Sequence, residues 1–205
     1  MNKFITVAEA ASKIKDGMTL MIGGFLSNGS PLRLIDELIK TGVKAFPDNG
    51  IGKLVVNNQV KKLIVSHIGT NRYTGDKMNT GEIEIEFSPQ GTLAERIRAK
   101  GAGLGGVLTP VGIGTIIEEG KQKIQIDDKE YLLEKPLSAD FALIKANIGD
   151  EKGNLIYKGT TQNFNPLMAM AGDNVIAEVD EIVPVDKLEP EIIHTPHIFV
   201  DFIVK

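Results

Sequence analysis

Short apolar runs alternate with capped helical segments along almost the whole chain, and this alternation limits the possible folds more than any single motif does. Thr6 and Glu9 form a Thr-x-x-Glu capping box for a helix running to about Lys15, closed by Gly17. Residues 19–23 then read as a buried strand. Pro31, behind Ser30, suits the first position of a helix over residues 32–40, which carries Leu34, Ile35, Leu38 and Ile39 and ends at Gly42. Residues 62–66 form the next strand, "GEIEIEF" alternates with period two, and "SPQGTLAERIRAKG" is a further helix with proline near its start and glycine at its end. Strands continue at residues 106–109, 124–126 and 131–133, the last two joined as a hairpin at Asp127 and Asp128, and again at residues 140–146, 155–157, 175–178 and 198–203. The pattern predicts a single α/β domain over residues 1–205, with an open, largely parallel sheet, helices on both faces and antiparallel additions. One place interrupts it: after Gly42 a right-handed crossover should lead into another strand, yet "VKAFPDNG" offers only residues 43–46 before a Pro-Asp-Asn-Gly turn.

Composition removes several function classes. The chain has no cysteine, so disulfides, thiol catalysis and Cys-based zinc or iron–sulfur sites are excluded, in keeping with a reducing compartment. A net charge of −4 and the lack of a basic stripe leave no electrostatic footprint for nucleic acid. Apolar runs such as residues 20–22 and 63–65 fall far below the ~20 residues of a membrane span, and "MNKFITVAEAASKIKDG" has no signal-peptide core. The expectation is a soluble cytoplasmic protein with no membrane partner.

Several motifs have a plain structural reading. "GAGLGG" matches Gly-x-Gly-x-x-Gly, but it leaves a helix and opens a strand, the reverse of the dinucleotide-binding context, and no phosphate loop of the Gly-Lys-Ser/Thr type occurs. His194 and His197 sit in "HTPH", where Pro196 disrupts the helix that would aim them together, so a surface loop is favoured over a metal site. Glu82, Glu84 and Glu86 share one strand face and read as a solvated surface, since three clustered acids repel one another unless cations balance them. Met168 and Met170 read as core filler.

The stretch "LMIGGFLSNGSP" does not reduce so easily. A plain connector needs one glycine, whereas Gly23, Gly24 and Gly29 fall within seven positions, which suggests that backbone is being offered to a ligand. Other glycines and amides cluster near predicted strand and helix ends: Ser27, Asn28 and Ser30 in this turn, Gln90 at a helix start, then Gly101 and Gly103. Ligands of open α/β sheets sit at the carboxyl ends of strands, where N–H groups hold anions, so a polyphosphate or carboxylate ligand is inferred. No residue of the chain reads as a nucleophile or general base acting on it.

"DGMTLMIGGFLSNGSP" resembles the signature of the A (α) subunits of CoA-transferases of the 3-oxoacid and acetate type, matching it at Asp16, Gly17, Gly23, Gly24, Phe25, Gly29 and Pro31. "PQGTLAERIRAKGAGLGG", "TPVGIGT", "YLLEKPLSADFALIKA", "NFNPLMAMA" and the closing "HTP" resemble the family in the same order, so the likeness covers essentially the whole chain. It implies a CoA-transferase-like fold and transfer of CoA between acyl-CoA and short-chain carboxylic acids such as acetate, butyrate and acetoacetate. By the same likeness, CoA is a substrate and not a tightly bound cofactor, and no metal is used. A glutamate in a Glu-Asn-Gly motif of a β subunit is the family's nucleophile; no such tripeptide occurs here, so the catalytic residue is expected on that partner, in an α2β2 assembly. The resemblance makes Gly24, Phe25, Leu26, Ser27, Asn28, Gly29 and Ser30 the CoA-binding turn. It places Gln90 and Gly91, with Gly101 and Gly103, at the reacting carbonyl, the alternative for Gln90 being helix capping alone.

The chain departs from the family pattern in three places. Ser27 and Asn28 stand where small apolar residues are common, Gln162 stands where arginine is usual, and a strand is missing between Lys44 and Ala45. Deleting a sheet strand would uncover the apolar faces of its neighbours. A non-catalytic ligand-sensing module is the alternative function, because one α/β architecture serves both.

Overall fold

The computed structural model describes residues 3–26, 28–40 and 51–205. In chain order its helices are α1 (Val7–Lys13), α2 (Leu32–Lys40), α3 (Gly52–Val56), α4 (Arg72–Thr80), α5 (Gln90–Gly101) and α6 (Asn165–Ala171). Its strands are β1 (Leu20–Ile22), β2 (Lys62–Val65), β3 (Glu84–Phe87), β4 (Val107–Thr109), β5 (Lys123–Ile126), β6 (Lys129–Glu134), β7 (Phe141–Asp150), β8 (Leu155–Ile156), β9 (Val175–Val183) and β10 (Phe202–Val204).

The ten-residue β7 is the axis of the molecule. It pairs in parallel with β1 and β9, β9 pairs in parallel with β10, and β8 folds back antiparallel on β7. A strand flanked this way is apolar on both faces. Phe141 and Leu143, with Ile176 of β9, pack beneath Ala10 and Ala11 of α1 and Leu34, Ile35 and Leu38 of α2. Ala142, Ile144 and Ala146, with Val175, Ala177 and Val179, pack beneath Ile97 of α5 and Met168 and Ala169 of α6. Helices therefore cover both faces, as the alternation predicts. β2 and β3 form a separate parallel pair, and β4–β6–β5 an antiparallel layer whose hairpin turns at Asp127 with φ +50°.

Local signals act as read at α1, where the Thr6 hydroxyl accepts from the Glu9 N–H at 3.1 Å and the Glu9 carboxylate accepts from the Thr6 N–H at 2.7 Å. Elsewhere the structure corrects them. Strands at residues 140–146 and 175–178 extend to Asp150 and Val183, while the strand expected over 198–203 is a 3-10 turn, His197–Phe199, followed by the shorter β10. α3, α4 and α6 are additional helices. α4 is weakly apolar and carries Gly75 at its centre, so its capping by Asn71 and by Gly81, with φ +74°, defines it better than its periodicity does. Met168 is core, but Met170 is 39% exposed, which corrects half of that pair. The helix end at Gly42 and the missing strand between Lys44 and Ala45 lie outside the described residues, and among the described residues no ladder joins β1 to β2.

A buried arginine ties the two smaller sheets together. Arg96 of α5 donates to Glu86 of β3 at 2.8 Å and to the Lys135 carbonyl at 2.9 Å, and lies 3.7 Å from Glu134 of β6, which is also paired with Lys121 at 2.6 Å. Glu84 and Glu86 share Lys62, and Glu82 pairs with Lys77, so cations balance all three acids of the strand face. Burial pushes the Glu86 carboxyl up, but hydrogen bonds from Arg96 and Lys62 outweigh it and hold the group below the usual carboxylate range.

Arg96→Met leaves Glu86 and the buried Glu134 without that partner and should cost about 3–5 kcal/mol in urea unfolding at pH 7. Because the folded value of Glu86 is depressed, its contribution is present above the ordinary carboxylate pKa and lost as pH falls through the lower folded value. The difference between variant and wild type should therefore shrink below about pH 4.

Candidate functional site

The glycine turn lies where β1 leaves the sheet. The Gly23 N–H still donates to the Leu143 carbonyl at 2.9 Å, and in a continued parallel ladder the next β7 donor on that edge, Lys145 N–H, would meet the Gly23 carbonyl. Instead it donates to Asn165 Oδ1 at 3.0 Å. Asn165 is fully buried at the start of α6, and its Nδ2 donates to the carbonyls of Gly29 at 3.0 Å and Thr161 at 2.8 Å. One side-chain amide thus takes the place of a strand's peptide unit.

The glycines follow from that insertion. A Cβ on Gly23 would stand 1.8 Å from Asn165 Oδ1, and one on Gly29 3.0 Å from both Asn165 Nδ2 and Thr161 Cα. Gly24 has φ +118°, and its Cβ would fall 2.1 Å from the Ser30 hydroxyl oxygen. All three glycines therefore have a reason inside the chain, which qualifies the expectation that they only open backbone to a ligand. What the turn shows to solvent is its tip. Phe25 and Asn28 exchange both backbone hydrogen bonds at 3.0 Å, Phe25 is 42% exposed, and Leu26, at φ +48°, is 61% exposed. Ser30 is buried, and Ser27 lies outside the described residues.

The turn is tied down from the segment before α6 on one side and from the sheet on the other. Asn163 Nδ2 donates to the carbonyls of Asn28 at 2.9 Å and Thr160 at 2.6 Å. On the α2 side, the buried Glu178 carboxylate of β9 accepts from the Arg33 and Leu34 N–H groups at 2.9 and 3.0 Å, capping a helix end with a negative charge. Arg33 Nε and Lys145 Nζ both stand 3.2 Å from that carboxylate, and Lys145 also pairs with Asp180. Asn163, Asn165, Lys145 and Glu178 were not singled out from the sequence as site residues. Glu178 did carry a signal, since it is a charge within the apolar run "VIAEV".

The remaining expected residues divide in two. Gln90 and Gly91 open α5 and are exposed; Pro89 precedes them and no side chain caps this helix, so Gln90 is not seen as a capping residue. A Cβ on Gly91 would meet nothing within 4 Å. Gly101 lies at the far end of the same helix, about 16 Å away at 1.5 Å per residue, where its Cβ would stand 2.7 Å from Met170 Cβ, and Gly103 follows the helix end with φ +70°. The structure does not bring the two pairs together.

No metal centre forms among the described residues, where no group of three His, Cys, Asp or Glu side chains stands close enough to hold an ion. His194 accepts the Tyr157 N–H at 3.1 Å, and His197 Nδ1 lies 3.3 Å from Asn154 Oδ1. The Tyr157 hydroxyl lies 2.8 Å from Thr195 Oγ1, and burial pushes this phenol above its ordinary range. A cleft of about 620 Å³ between β3 and residues 116–121 is lined by none of the expected site residues. No described helix is long and apolar enough to cross a membrane.

The sequence model of the family described as Coenzyme A transferase matches residues 4–205. The chain is 55% identical to the acetoacetyl-CoA:acetate/butyrate CoA transferase alpha subunit of Clostridium acetobutylicum, covering 100% of this chain and 98% of that one. The alignment runs over 213 positions against 205 residues here, so at least eight of its positions have no counterpart in this chain. Identity is 49% to the acetate CoA-transferase subunit alpha of Escherichia coli K12, over 98% of this chain and 96% of that one. Among solved structures, the acyl-CoA transferase of E. coli O157:H7, crystallised as a thioester complex with CoA, superposes with a TM-score of 0.87 at 24% identity over 99% of this chain. This chain spans 47% of that polypeptide, and the likeness shows a shared fold.

Two glycine substitutions separate packing from function. Gly23→Ala drives its Cβ into Asn165 Oδ1 and should lower stability by about 1–3 kcal/mol in urea unfolding. Gly91→Ala meets open space in a helix and should raise stability by up to about 1 kcal/mol.

Proposed function

This chain belongs to the coenzyme A transferase family, and from that premise we propose that it is the α subunit of an enzyme moving CoA between a short-chain acyl-CoA and a carboxylate, with acetate, butyrate and acetoacetate as acyl partners. The observation that carries the reading is 55% identity along the full length of an alpha subunit named for that reaction. No feature of the structure favours the ligand-sensing alternative.

In the proposed mechanism, a glutamate of the β subunit attacks the acyl-CoA thioester. The C–S bond breaks, CoA leaves as thiolate, and an acyl-glutamyl anhydride forms. The thiolate then attacks the glutamyl carbonyl, which gives a glutamyl-CoA thioester and releases the first carboxylate; a second acid reverses both steps. Two activated intermediates replace one difficult exchange, so the kinetics are ping-pong.

The α chain supplies surface and electrostatics. Residues 24–30 hold CoA, with exposed Phe25 and Leu26 as the apolar part of the contact. The Gln90 amide donates to the developing oxyanion, an interaction worth about 3 kcal/mol in comparable sites. Gly91 leaves space for close approach, which its open surroundings support. Packing accounts for Gly101, whose contact is Met170. The assembly is α2β2 and acts in the cytoplasm, with CoA as substrate and no resident metal.

The test mixes the purified chain with its β subunit and follows acetyl transfer from acetyl-CoA to acetoacetate or butyrate. Activity should appear only in the mixture, with a borohydride-sensitive CoA thioester on the β chain; full activity from this chain alone would sink the reading. Gln90→Ala, at an exposed position, should lower kcat by about 10²-fold without moving the unfolding midpoint.

A further inference from the structure

Within residues 24–30, Gly24, Leu26 and Gly29 have positive φ angles, a geometry with little intrinsic preference to hold it. What fixes it comes from a segment about 135 residues away in the chain: Asn163 takes the Asn28 carbonyl and Asn165 takes the Gly29 carbonyl. Neither amide has a donor to spare. Asn165 uses its oxygen on Lys145 N–H and its nitrogen on two carbonyls, while Asn163 donates to two carbonyls and its Oδ1 accepts from the Phe164 N–H at 2.6 Å. In a trans peptide the N–H points opposite to the C=O, so clamping these two carbonyls turns the Gly29 and Ser30 N–H groups away from the amides.

We infer that Asn163 and Asn165 are positioning residues for acyl-CoA, fixing through the Asn28 and Gly29 carbonyls the direction in which the turn presents its N–H groups. This rests on the reading of residues 24–30 as the CoA-binding turn. In the proposed scheme the acceptor carboxylate meets an enzyme to which CoA is already covalently joined, so the clamp acts first on the binding of free acyl-CoA.

Asn165 is fully buried, and its substitution tests folding as much as positioning. Asn163 is only part-buried and carries the experiment. In the enzyme assembled with its β subunit, steady-state KM is measured for acetyl-CoA and for acetoacetate in Asn163→Ala, Asn163→Asp, Asn163→Gln and, as a probe of the turn itself, Leu26→Asp. Expected are rises of about tenfold in KM for acetyl-CoA with Asn163→Ala and Asn163→Asp, partial rescue by Asn163→Gln, and a clearly smaller change for acetoacetate. If Leu26→Asp raises KM for acetyl-CoA and the Asn163 variants leave it unchanged, the positioning role is wrong and the CoA-turn reading stands. If Leu26→Asp also leaves it unchanged, both fall together. Equal rises for the two substrates would mark Asn163 as merely structural and overturn the inference.

Discussion

One buried side-chain amide decides how β1 parts from β7. A strand leaving a parallel sheet strands backbone donors on its neighbour, and each buried group left unpaired costs about 1–3 kcal/mol. Asn165 resolves this at Lys145 by accepting the N–H in place of the Gly23 carbonyl, and with its other end it takes the Gly29 carbonyl and holds the returning limb of the turn. The rest of the local sequence follows from it. Gly23 has no room for a side chain, Gly29 has almost none, and Ser30 fits beneath Gly24 because the turn has folded back so tightly.

The two ends of the turn converge on one residue of the central strand. Lys145 gives its backbone N–H to Asn165 and its ammonium to Glu178, while Glu178 in turn accepts the first N–H groups of α2, the helix into which the turn runs. A carboxylate this buried is tolerable because two cations and two helix N–H groups surround it. Arg96 plays the equivalent part on the other side of the molecule, between Glu86 and Glu134. Buried charge therefore joins elements that apolar packing alone leaves free to slide: α2 against β9 in one case, and α5 with the two smaller sheets in the other.

Much of the fold was legible because its causes are local. The capping box at Thr6, the hairpin at Asp127 and the alternation of strand with helix act over a few residues, and each reads directly from the order of side chains. α4 and α6 were not, since one is polar with a central glycine and the other is seven residues long, so neither shows an apolar stripe. In the site, the three glycines were conspicuous but their reason was hidden. The atom that excludes a Cβ at Gly23 belongs to a residue more than a hundred positions later, and no local pattern announces such a contact. Gln90 and Gly101 show the opposite case, because positions close in sequence are held apart by the length of a helix.

These constraints also bear on why, on the proposed reading, a subunit whose nucleophile lies on its partner has so much built into one turn. A flexible glycine loop would lose conformational freedom on meeting its ligand, at about 1–2 kcal/mol for each residue ordered. A turn whose carbonyls are already engaged and whose glycines are already filled from beneath loses little, so in the proposed CoA contact more of the energy from Phe25 and Leu26 remains for the bound state. On the proposed reading, with the reacting carboxylate on another chain, the α chain contributes to rate by holding the thioester still relative to it. The buried amide under the turn is the part of this chain that meets that demand.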